Sequence, residues 1–282
     1  MIQDIGPHRY DNAFRAKRPV EESRLLYFKQ KQVLVRFDGD ELEFPTFGDL
    51  KEGNEGLYDN AVFLFSIDGE DFFLGGNVGL SLPGGWGMAG TEIFRRAKPK
   101  HMAFAGVTGL QLYNWYRSRR FCGRCGRRME HDSRERMMRC PDCGNVEYPR
   151  ICPAVIVGVT HGNRLLMSKY AGGGYKRYAL IAGFAEVGET IEETVKREVM
   201  EEVGLRIKNL RYYKSQPWSL SESLLFGFFA DLDSSEEITL DETELSEATW
   251  FEREEIQVEE EDFSLTNEMI VRFKRGEVFT EA

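Results

Sequence analysis

Two pairs of cysteines constrain the fold of this chain more than any other feature. Cys122 and Cys125 form one Cys-x-x-Cys pair, Cys140 and Cys143 form a second, and fourteen residues separate the pairs. Four thiolates at this spacing predict a zinc ribbon, in which one tetrahedral Zn²⁺ holds two short loops together. Because four sulfur ligands leave no open coordination position, we expect this zinc to be structural.

A disulfide framework is the alternative use of these cysteines. The chain has only five cysteines in 282 residues, and its first residues, MIQDIGPHRYDNAF, lack the basic start and apolar run of a secretory signal. Both observations favour zinc over disulfides and predict a cytoplasmic protein. The fifth cysteine, Cys152, lies directly before Pro153 and an apolar stretch, so we expect a small buried residue and not a metal ligand.

A helix is predicted from Thr190 to Val203. The segment holds good helix formers without Pro or Gly. Thr190 followed three residues later by Glu193 predicts a capping box, and Gly204 predicts a left-handed stop. Apolar residues recur at four-residue spacing and predict one buried face. They are Ile191, Val195, Val199 and Val203.

The same helix brings three carboxylates together on an exposed face, those of Glu198, Glu201 and Glu202. Like charges this close are destabilising unless a cation lies among them, and hard oxygen ligands suit Mg²⁺ or Mn²⁺. A solvated acidic helix face is the alternative. Glu189 ahead of the first turn and Arg197, which can pair with neighbouring carboxylates, favour a metal site.

Charge is distributed unevenly along the chain. The formal net charge of −10 argues against a protein that coats nucleic acid, yet arginines crowd into and around the predicted ribbon. They predict either a surface that faces phosphate or RNA, or a solvated surface paired with the acidic residues nearby. The arginines are Arg117, Arg119, Arg120, Arg124, Arg127, Arg128, Arg134, Arg136 and Arg139.

The remaining pattern predicts an α+β chain of three parts. Residues 1–120 are expected to form a β-rich domain that ends in a helix from Met102, residues 121–150 the ribbon, and residues 151–282 a domain that mixes strands and helices. Two hairpins are predicted around Asp38-Gly39 and Asp68-Gly69. In the last part, strands are expected at Ala154–Thr160, Arg164–Met167, Leu224–Asp231 and Ala248–Phe251, with a closing helix at Leu265–Lys274.

Several smaller features are read as structural. The glycines 172–174 predict a turn. None of the four histidines stands in a metal-ligand spacing, so each is expected to be a surface or capping residue; they are His8, His101, His131 and His161. No stretch approaches the roughly 18 apolar residues that a membrane span needs, so no membrane partner is expected.

The acidic helix and the loop before it match the pattern G-x5-E-x7-R-E-U-x-E-E-x-G-U, where U is apolar. In this respect the chain resembles the Nudix hydrolases, and the resemblance implies a Nudix α/β/α sandwich in residues 151–282. The matching positions are Gly183, Glu189, Arg197, Glu198, Val199, Glu201, Glu202, Gly204 and Leu205.

A further motif resembles one subgroup of that family. Ser215-Gln216-Pro217-Trp218, followed by Ser223, is similar to the SQPWPFPxS array of the NADH pyrophosphatases, which also carry a zinc ribbon before the Nudix domain. The resemblance extends from about Phe121 to Phe273. The chain departs from the array at Ser219-Leu220-Ser221, where the family has Pro-Phe-Pro.

This resemblance implies metal-dependent hydrolysis of NADH or NAD⁺ to nicotinamide mononucleotide and AMP, removal of NAD caps from RNA, and a homodimer. Glu198, Glu201, Glu202 and Glu247 match metal-binding acids, and Glu201 or Glu202 is the expected general base. Phe184 and Tyr148 match aromatic residues that stack on a base, the tyrosine coming from the partner subunit. Substrate contacts are also expected from Gln216, Trp218, Ser223 and Thr266.

Two other functions stay open at this stage. The changed array is compatible with a Nudix hydrolase of ADP-ribose or a diadenosine polyphosphate. A regulator that binds nucleic acid through the ribbon and senses a ligand with the Nudix domain is the second, but the complete set of metal carboxylates speaks against it.

Overall fold

The computed structural model describes residues 1–54, 56–76, 79–172 and 177–279. The chain forms two compact units. The amino-terminal unit comprises Ile2–Arg150 and Ser219–Ser221, and the carboxy-terminal unit comprises Met1, Ile151–Trp218 and Glu222–Ala282. Among the helices of the described residues, none has both the length and the apolar character that crossing a membrane requires.

The amino-terminal unit is built mainly from short strands. One sheet has the order β1-β6-β7-β2, and a second contains β3, β4 and β5 with β8 paired to β4. Short 3-10 helices lie at Gly48–Leu50 and Thr91–Arg95. The strands are β1 (Tyr10–Asp11), β2 (Arg24–Leu26), β3 (Phe28–Lys29), β4 (Gln32–Asp38), β5 (Glu41–Glu43), β6 (Val62–Ile67), β7 (Glu70–Leu74) and β8 (Gly87–Gly90), and helix α1 (Lys100–Ser118) follows them.

The ribbon belongs to the same unit. It contains a three-stranded sheet in the order β11-β10-β9, made of β9 (Glu130–His131), β10 (Met138–Arg139) and β11 (Val146–Glu147). Arg136 fastens the ribbon to the β-rich part, because its guanidinium donates to the backbone carbonyls of Asn12 and Leu64.

The carboxy-terminal unit is organised around one sheet of six strands in the order β15-β16-β12-β13-β17, with β14 paired to β12. The β12–β16 pair is parallel and the other pairs are antiparallel. Further 3-10 turns lie at Arg253–Glu255 and Glu277–Phe279. The elements are β12 (Cys152–His161), β13 (Arg164–Tyr170), β14 (Ile181–Phe184), α2 (Ile191–Val203), β15 (Ile207–Trp218), β16 (Ser223–Leu232), β17 (Leu245–Glu252) and α3 (Leu265–Lys274).

The two helices cover opposite faces of this sheet, which makes the predicted α/β/α sandwich. Successive residues of a strand point to opposite faces, so Val155 packs in the apolar cluster of α2 and its neighbour Ile156 packs in the cluster of α3. Helix α2 contributes Val195, Val199 and Val203 to the first cluster. Helix α3 contributes Leu265, Met269, Ile270 and Phe273 to the second.

Most predicted elements are found close to their expected positions, and the closing helix has the predicted bounds. Two strands of the central sheet were not predicted, β14 and β15. β14 is only four residues long, and β15 lacks regular alternation because its pairing with β16 is interrupted twice by register shifts. Of the turn predicted at 172–174, residues 173 and 174 lie outside the described residues.

Candidate metal and substrate site

The four ribbon cysteines lie together as a zinc site requires. Their sulfur atoms all lie within 4.8 Å of one another. The Sγ atoms of Cys122 and Cys143 are 3.6 Å apart, and those of Cys125 and Cys140 are 3.5 Å apart. These separations are far longer than the S–S bond of about 2 Å in a disulfide. They are close to the edge of a tetrahedron with Zn–S bonds of about 2.3 Å.

Each cysteine pair is followed by a glycine that closes the loop. Gly126 and Gly144 have positive φ angles of 75° and 71°, a backbone conformation that glycine adopts without steric cost. Their N–H groups donate to the carbonyls of the first cysteine in each pair, at 2.9 Å and 3.1 Å. The repeated Cys-x-x-Cys-Gly sequence therefore makes two matching turns that present four sulfurs to one point.

The acidic helix begins and ends as predicted. The Thr190 side chain accepts from the Glu193 N–H, the Glu193 side chain accepts from the Thr190 N–H, and Gly204 is left-handed with φ of 68°. Ahead of the helix, β14 passes so close that a Cβ atom on Gly183 would lie 1.9 Å from the carboxyl carbon of Glu198. Only glycine at position 183 leaves room for this carboxylate.

Arg197 organises the carboxylates around it. Its Nε and Nη2 donate to the two oxygens of Glu189, at 2.5 Å and 3.0 Å, and its Nη1 donates to Glu198 at 2.9 Å and to Glu201 at 2.8 Å. A fifth bond goes from Nη2 to the backbone carbonyl of Phe184. The guanidinium holds the pKa of Glu189 down at about 2. Arg197 thus joins the loop after β14 to the acidic face of α2.

Glu202 differs from the other acids of the helix. The sequence predicts an exposed position for Glu202, but the residue is only 2% exposed. The segment after β16 lies against the end of α2, where the N–H groups of Thr239 and Asp241 donate to the carbonyls of Val203 and Glu202. Burial, together with the carboxylates of Glu198 and Glu244, raises the pKa of Glu202 to about 8. Among the residues that the structure describes, its Oε2 has no hydrogen-bond partner.

A buried carboxylate oxygen without a donor is costly unless another group completes it. Glu198 is also buried and its pKa is raised by that burial, whereas Glu201 is exposed. The donor set is therefore all oxygen, partly buried and rich in negative charge. These are the properties of a site for Mg²⁺ or Mn²⁺, so the residues present fit such an ion.

Glu247 has a different environment from the three helix acids. It lies on β17 opposite Lys169 of β13. Its Oε2 accepts from the Lys169 ammonium at 2.8 Å, and its Oε1 accepts from the Tyr178 hydroxyl at 2.5 Å. The carboxylates whose charges act on Glu202 are instead those of Glu198, Glu244 and Asp241. Neither Lys169 nor Tyr178 was singled out from the sequence, since isolated residues without a motif carry no signal there.

A cavity of about 650 Å³ opens beside Lys169 and Tyr178. Thr266, predicted as a substrate contact, lines it, as do Asn267 and Phe251. The volume falls in the range of about 300–1,000 Å³ that is usual for small-molecule sites. The structure therefore brings Thr266 and the partners of Glu247 to one cavity.

The two predicted stacking aromatics are both accessible. Phe184, at the end of β14, is 52% exposed, and Tyr148, after β11, is 55% exposed. They belong to different units of the chain. The hydroxyl of Tyr148 donates to Glu135 at 2.9 Å, within its own unit.

The motif residues on β15 and β16 are largely covered by protein. Gln216 is fully buried, its Nε2 donates to the carbonyl of Phe263 at 2.9 Å, and its Oε1 accepts from the N–H of Leu265 at 2.7 Å. The Trp218 ring packs edge-on against the Phe263 ring, and the two ring centroids are 5.3 Å apart. Ser223, paired with Trp218 across the strands, is 3% exposed. Gln216 therefore anchors the start of α3 in addition to any role at a ligand.

Two protein families match this chain. Residues 150–272 match the family described as the NUDIX domain. Residues 117–148 match the family described as the NADH pyrophosphatase zinc ribbon domain. The two matches agree with the acidic helix inside a sandwich and with the four-cysteine site that precedes it.

Similar sequences include proteins named NAD-capped RNA hydrolase NudC. The protein from Haemophilus influenzae strain PittGG is 43% identical over 148 residues, which is 51% of this chain and 55% of that protein. The protein from Salmonella typhi is 43% identical over 148 residues, 52% of this chain and 57% of that protein. The match thus spans about half the length of these relatives. A NUDIX hydrolase structure from Nitrosomonas europaea covers 55% of this chain and 90% of its own, with 23% identity and a TM-score of 0.49.

Proposed function

We propose that this chain hydrolyses the pyrophosphate bond of NADH or NAD⁺, because residues 150–272 match the NUDIX domain family and residues 117–148 match the NADH pyrophosphatase zinc ribbon domain family. The products are nicotinamide mononucleotide and AMP. The 5′ end of an NAD-capped RNA contains the same bond, and the names of the similar proteins support this larger substrate. The observation that carries the proposal is the buried Oε2 of Glu202, which accepts no hydrogen bond from the described residues and whose carboxylate interacts with the charge of Glu198.

Glu198, Glu201 and Glu202 are the residues that would hold Mg²⁺ or Mn²⁺. Such an ion neutralises phosphate charge and lowers the pKa of a bound water. Arg197 supports this role, because its bonds to Glu198 and Glu201 fix the positions of both carboxylates. Glu201 or Glu202 takes the proton from the attacking water. The carboxylates are already in position before the substrate binds. Little free energy is therefore spent on moving them during the reaction.

The test is a substrate panel compared by kcat/KM. The panel contains NADH, NAD⁺, ADP-ribose, a diadenosine polyphosphate and NAD-capped RNA, with Mg²⁺ or Mn²⁺ added. We expect NADH, NAD⁺ or the capped RNA to rank first, and Glu202→Gln to lower kcat by about a hundredfold or more. Glu192→Gln, an exposed acid on the same helix, serves as the matched control. Full activity in Glu202→Gln would contradict this mechanism.

A second candidate keeps the chemistry and changes the substrate. Ser219-Leu220-Ser221 replaces the Pro-Phe-Pro of the NADH pyrophosphatase array, and each lost proline returns about 0.4–1 kcal/mol of conformational freedom to the unbound loop. Restoring Pro-Phe-Pro should then lower KM for NADH more than for ADP-ribose. If NADH gains nothing while the unchanged protein prefers another dinucleotide by about tenfold, that other substrate is the correct one.

We also propose that the enzyme is a homodimer, in which the exposed Phe184 of one protomer and Tyr148 of the partner subunit stack on one base. Stacking of a base on aromatic rings contributes about 1–3 kcal/mol. Light scattering gives the oligomeric state. Tyr148→Ala should raise KM for NADH and leave the zinc content unchanged, and a monomer with unchanged KM in this variant would contradict the arrangement.

A further inference from the structure

The zinc ribbon carries a concentration of positive charge that the hydrolysis of a dinucleotide does not require. Between Arg117 and Arg150 the sequence has ten arginines and five acidic residues, in a chain whose formal net charge is −10. Zn²⁺ with four thiolates carries net negative charge, but the excess of arginines over acidic residues is larger, so this segment has a positive net charge. A local basic surface on an acidic protein indicates an anionic partner.

Much of this charge lies on one two-stranded hairpin, residues 120–129, which we call the arginine hairpin. Its strands are joined by bonds from the Met129 N–H to the Arg120 carbonyl at 2.9 Å and from the Cys122 N–H to the Arg127 carbonyl at 2.7 Å. The hairpin contains the first cysteine pair, so the zinc site holds its tip in place. The surface is therefore anchored and not a loose basic tail.

Ion pairing separates the arginines of the ribbon into two groups. Some have carboxylate partners, as Arg119 has with Glu147 at 3.5 Å and Arg139 has with Asp132 at 3.5 Å. By contrast, three exposed arginines of the hairpin make no ion pair within the described ranges. They are Arg120, Arg124 and Arg128. The charges of these three guanidinium groups are therefore available to an anionic partner.

Phe121 provides the second element of the surface. Its residue is 61% exposed, although the ring is large and apolar. Phe121 and Arg128 pair directly across the hairpin, and residues directly opposite in an antiparallel pair present their side chains on the same face. A ring beside a guanidinium is an arrangement on which an unpaired base can stack while phosphates meet the arginines.

We propose that the arginine hairpin binds single-stranded RNA, by stacking a base on Phe121 and by contacts of Arg120, Arg124 and Arg128 with phosphates. The inference rests on the proposed function in one respect: an NAD-capped RNA has a nucleotide chain beyond the cap that needs a binding surface. Unpaired bases are required because a base inside a duplex has no free face for the ring. Charge complementarity favours RNA over a second copy of this acidic chain.

The test measures binding without turnover. A fluorescent single-stranded RNA of about twelve nucleotides, within the site sizes of such surfaces, is titrated with the zinc-loaded full chain in the absence of Mg²⁺ and Mn²⁺. The RNA carries a 5′ hydroxyl, so the cap plays no part. The triple variant Arg120→Gln, Arg124→Gln, Arg128→Gln should lower the slope of log K against log salt by about 2, since each phosphate contact on a single strand contributes about 0.7.

Phe121→Ala should weaken RNA binding by about 5-fold to 150-fold, which corresponds to 1–3 kcal/mol of stacking, with the salt slope unchanged. The matched control replaces three exposed arginines outside the ribbon, Arg18→Gln, Arg96→Gln and Arg206→Gln, and should keep both affinity and slope. Zinc content and kcat/KM on NADH should be unchanged in all three variants, whereas kcat/KM on NAD-capped RNA should fall in the two hairpin variants.

The outcomes separate this proposal from the proposed function. If the unchanged protein does not hydrolyse NADH, the proposed hydrolysis of NADH is wrong. The RNA titration still tests whether the arginine hairpin binds RNA. Equal affinity and slope in the hairpin variants and the unchanged protein would overturn the hairpin proposal, as would an equal loss in the control variant. A change of oligomeric state in Phe121→Ala with unchanged RNA affinity would also overturn it, by assigning the ring to a contact between copies.

Discussion

The ammonium of Lys169 lies 2.8 Å from Oε2 of Glu247, across two neighbouring strands. It also lies 4.0 Å from the centre of the Tyr178 ring, whose hydroxyl donates to the other oxygen of Glu247. Lys169 is the main cause of the lowered pKa of Glu247. The charge of Glu247 is thus compensated within the protein, whereas the buried Oε2 of Glu202 has no hydrogen-bond partner in the described part of the chain.

This contrast predicts an order of metal affinity. Glu202→Gln should weaken Mn²⁺ binding by about tenfold or more, because it removes a charged oxygen ligand from a buried position. Glu247→Gln should weaken it by less than about threefold, because Lys169 already neutralises that carboxylate. Titration calorimetry with Mn²⁺ on zinc-loaded protein measures both values. The reverse order would support Glu247 as the ligand that the family resemblance implies.

The raised pKa of Glu202 predicts a pH dependence of stability. Its ordinary value is 4.5 and its folded value is about 8, so between these pH values the folded protein binds more protons than the unfolded chain. Stability of the protein without Mg²⁺ or Mn²⁺ should therefore fall as pH rises from about 4.5 to about 8, by up to a few kcal/mol at about 1.4 kcal/mol per pKa unit.

Melting temperatures of the zinc-loaded protein across this range test the point. Glu202→Gln removes the titrating group, so the difference in Tm between variant and unchanged protein should widen in favour of the variant as pH rises. Ionisable groups that do not interact with Glu202 are common to both proteins and cancel in that difference. A constant difference would show that Glu202 does not titrate in this window.

The close approach of Gly183 and Glu198 predicts the effect of one added methyl group. A Cβ at position 183 would lie 1.9 Å from the Glu198 carboxyl carbon, so Gly183→Ala must move that carboxylate away from Arg197 and Glu202. We expect Mn²⁺ affinity and kcat to fall by about tenfold or more, with the fold retained. Gly172→Ala is the control, since a Cβ there meets no atom of the described residues within 4 Å, and it should leave both values unchanged.

Much of this site could be predicted from sequence because its signals are local. The capping box depends on Glu193, which is three residues after Thr190. The end of the helix depends on Gly204, which directly follows its last residue. The cysteine turns likewise depend on short spacings. What could not be predicted depends on packing between distant segments: the burial of Glu202 at the end of α2, against which residues near position 240 lie, and the pairing of Glu247 with Lys169, which is 78 residues away.

We expect folding of the ribbon to depend on zinc bound by its four cysteines. Cys125→Ser leaves three thiolates for a site of four, so bound zinc should fall to near zero and the ribbon should lose its structure, because such sites supply folding energy. Cys152→Ser, outside the cluster, is the matched control and should keep its zinc. Metal analysis and proteolysis of both variants check this. Zinc retained in Cys125→Ser, or an intact ribbon without zinc, would contradict the assignment.

Gln216 should contribute more to stability than an ordinary polar residue. Gln216→Leu leaves the Phe263 carbonyl and the Leu265 N–H without this partner, both in a buried setting, and each unpaired group costs about 1–3 kcal/mol. We expect a loss of about 2–4 kcal/mol in the free energy of unfolding, measured with urea. Gln111→Leu removes one exposed bond to Arg150 and should cost less than about 1 kcal/mol. Equal losses would show that Gln216 is not an anchor.

The same anchor has a mechanical consequence. Gln216 and Trp218 attach the end of β15 to the start of α3 at two points. The Gln216 amide bonds to Phe263 and Leu265, and the Trp218 ring contacts the ring of Phe263. Thr266, in the first turn of α3, is part of the cavity wall. The indole ring and this wall are therefore connected through Phe263, so we expect a displacement of Trp218 to change the width of the cavity, although Thr266 lies 48 residues later in the chain.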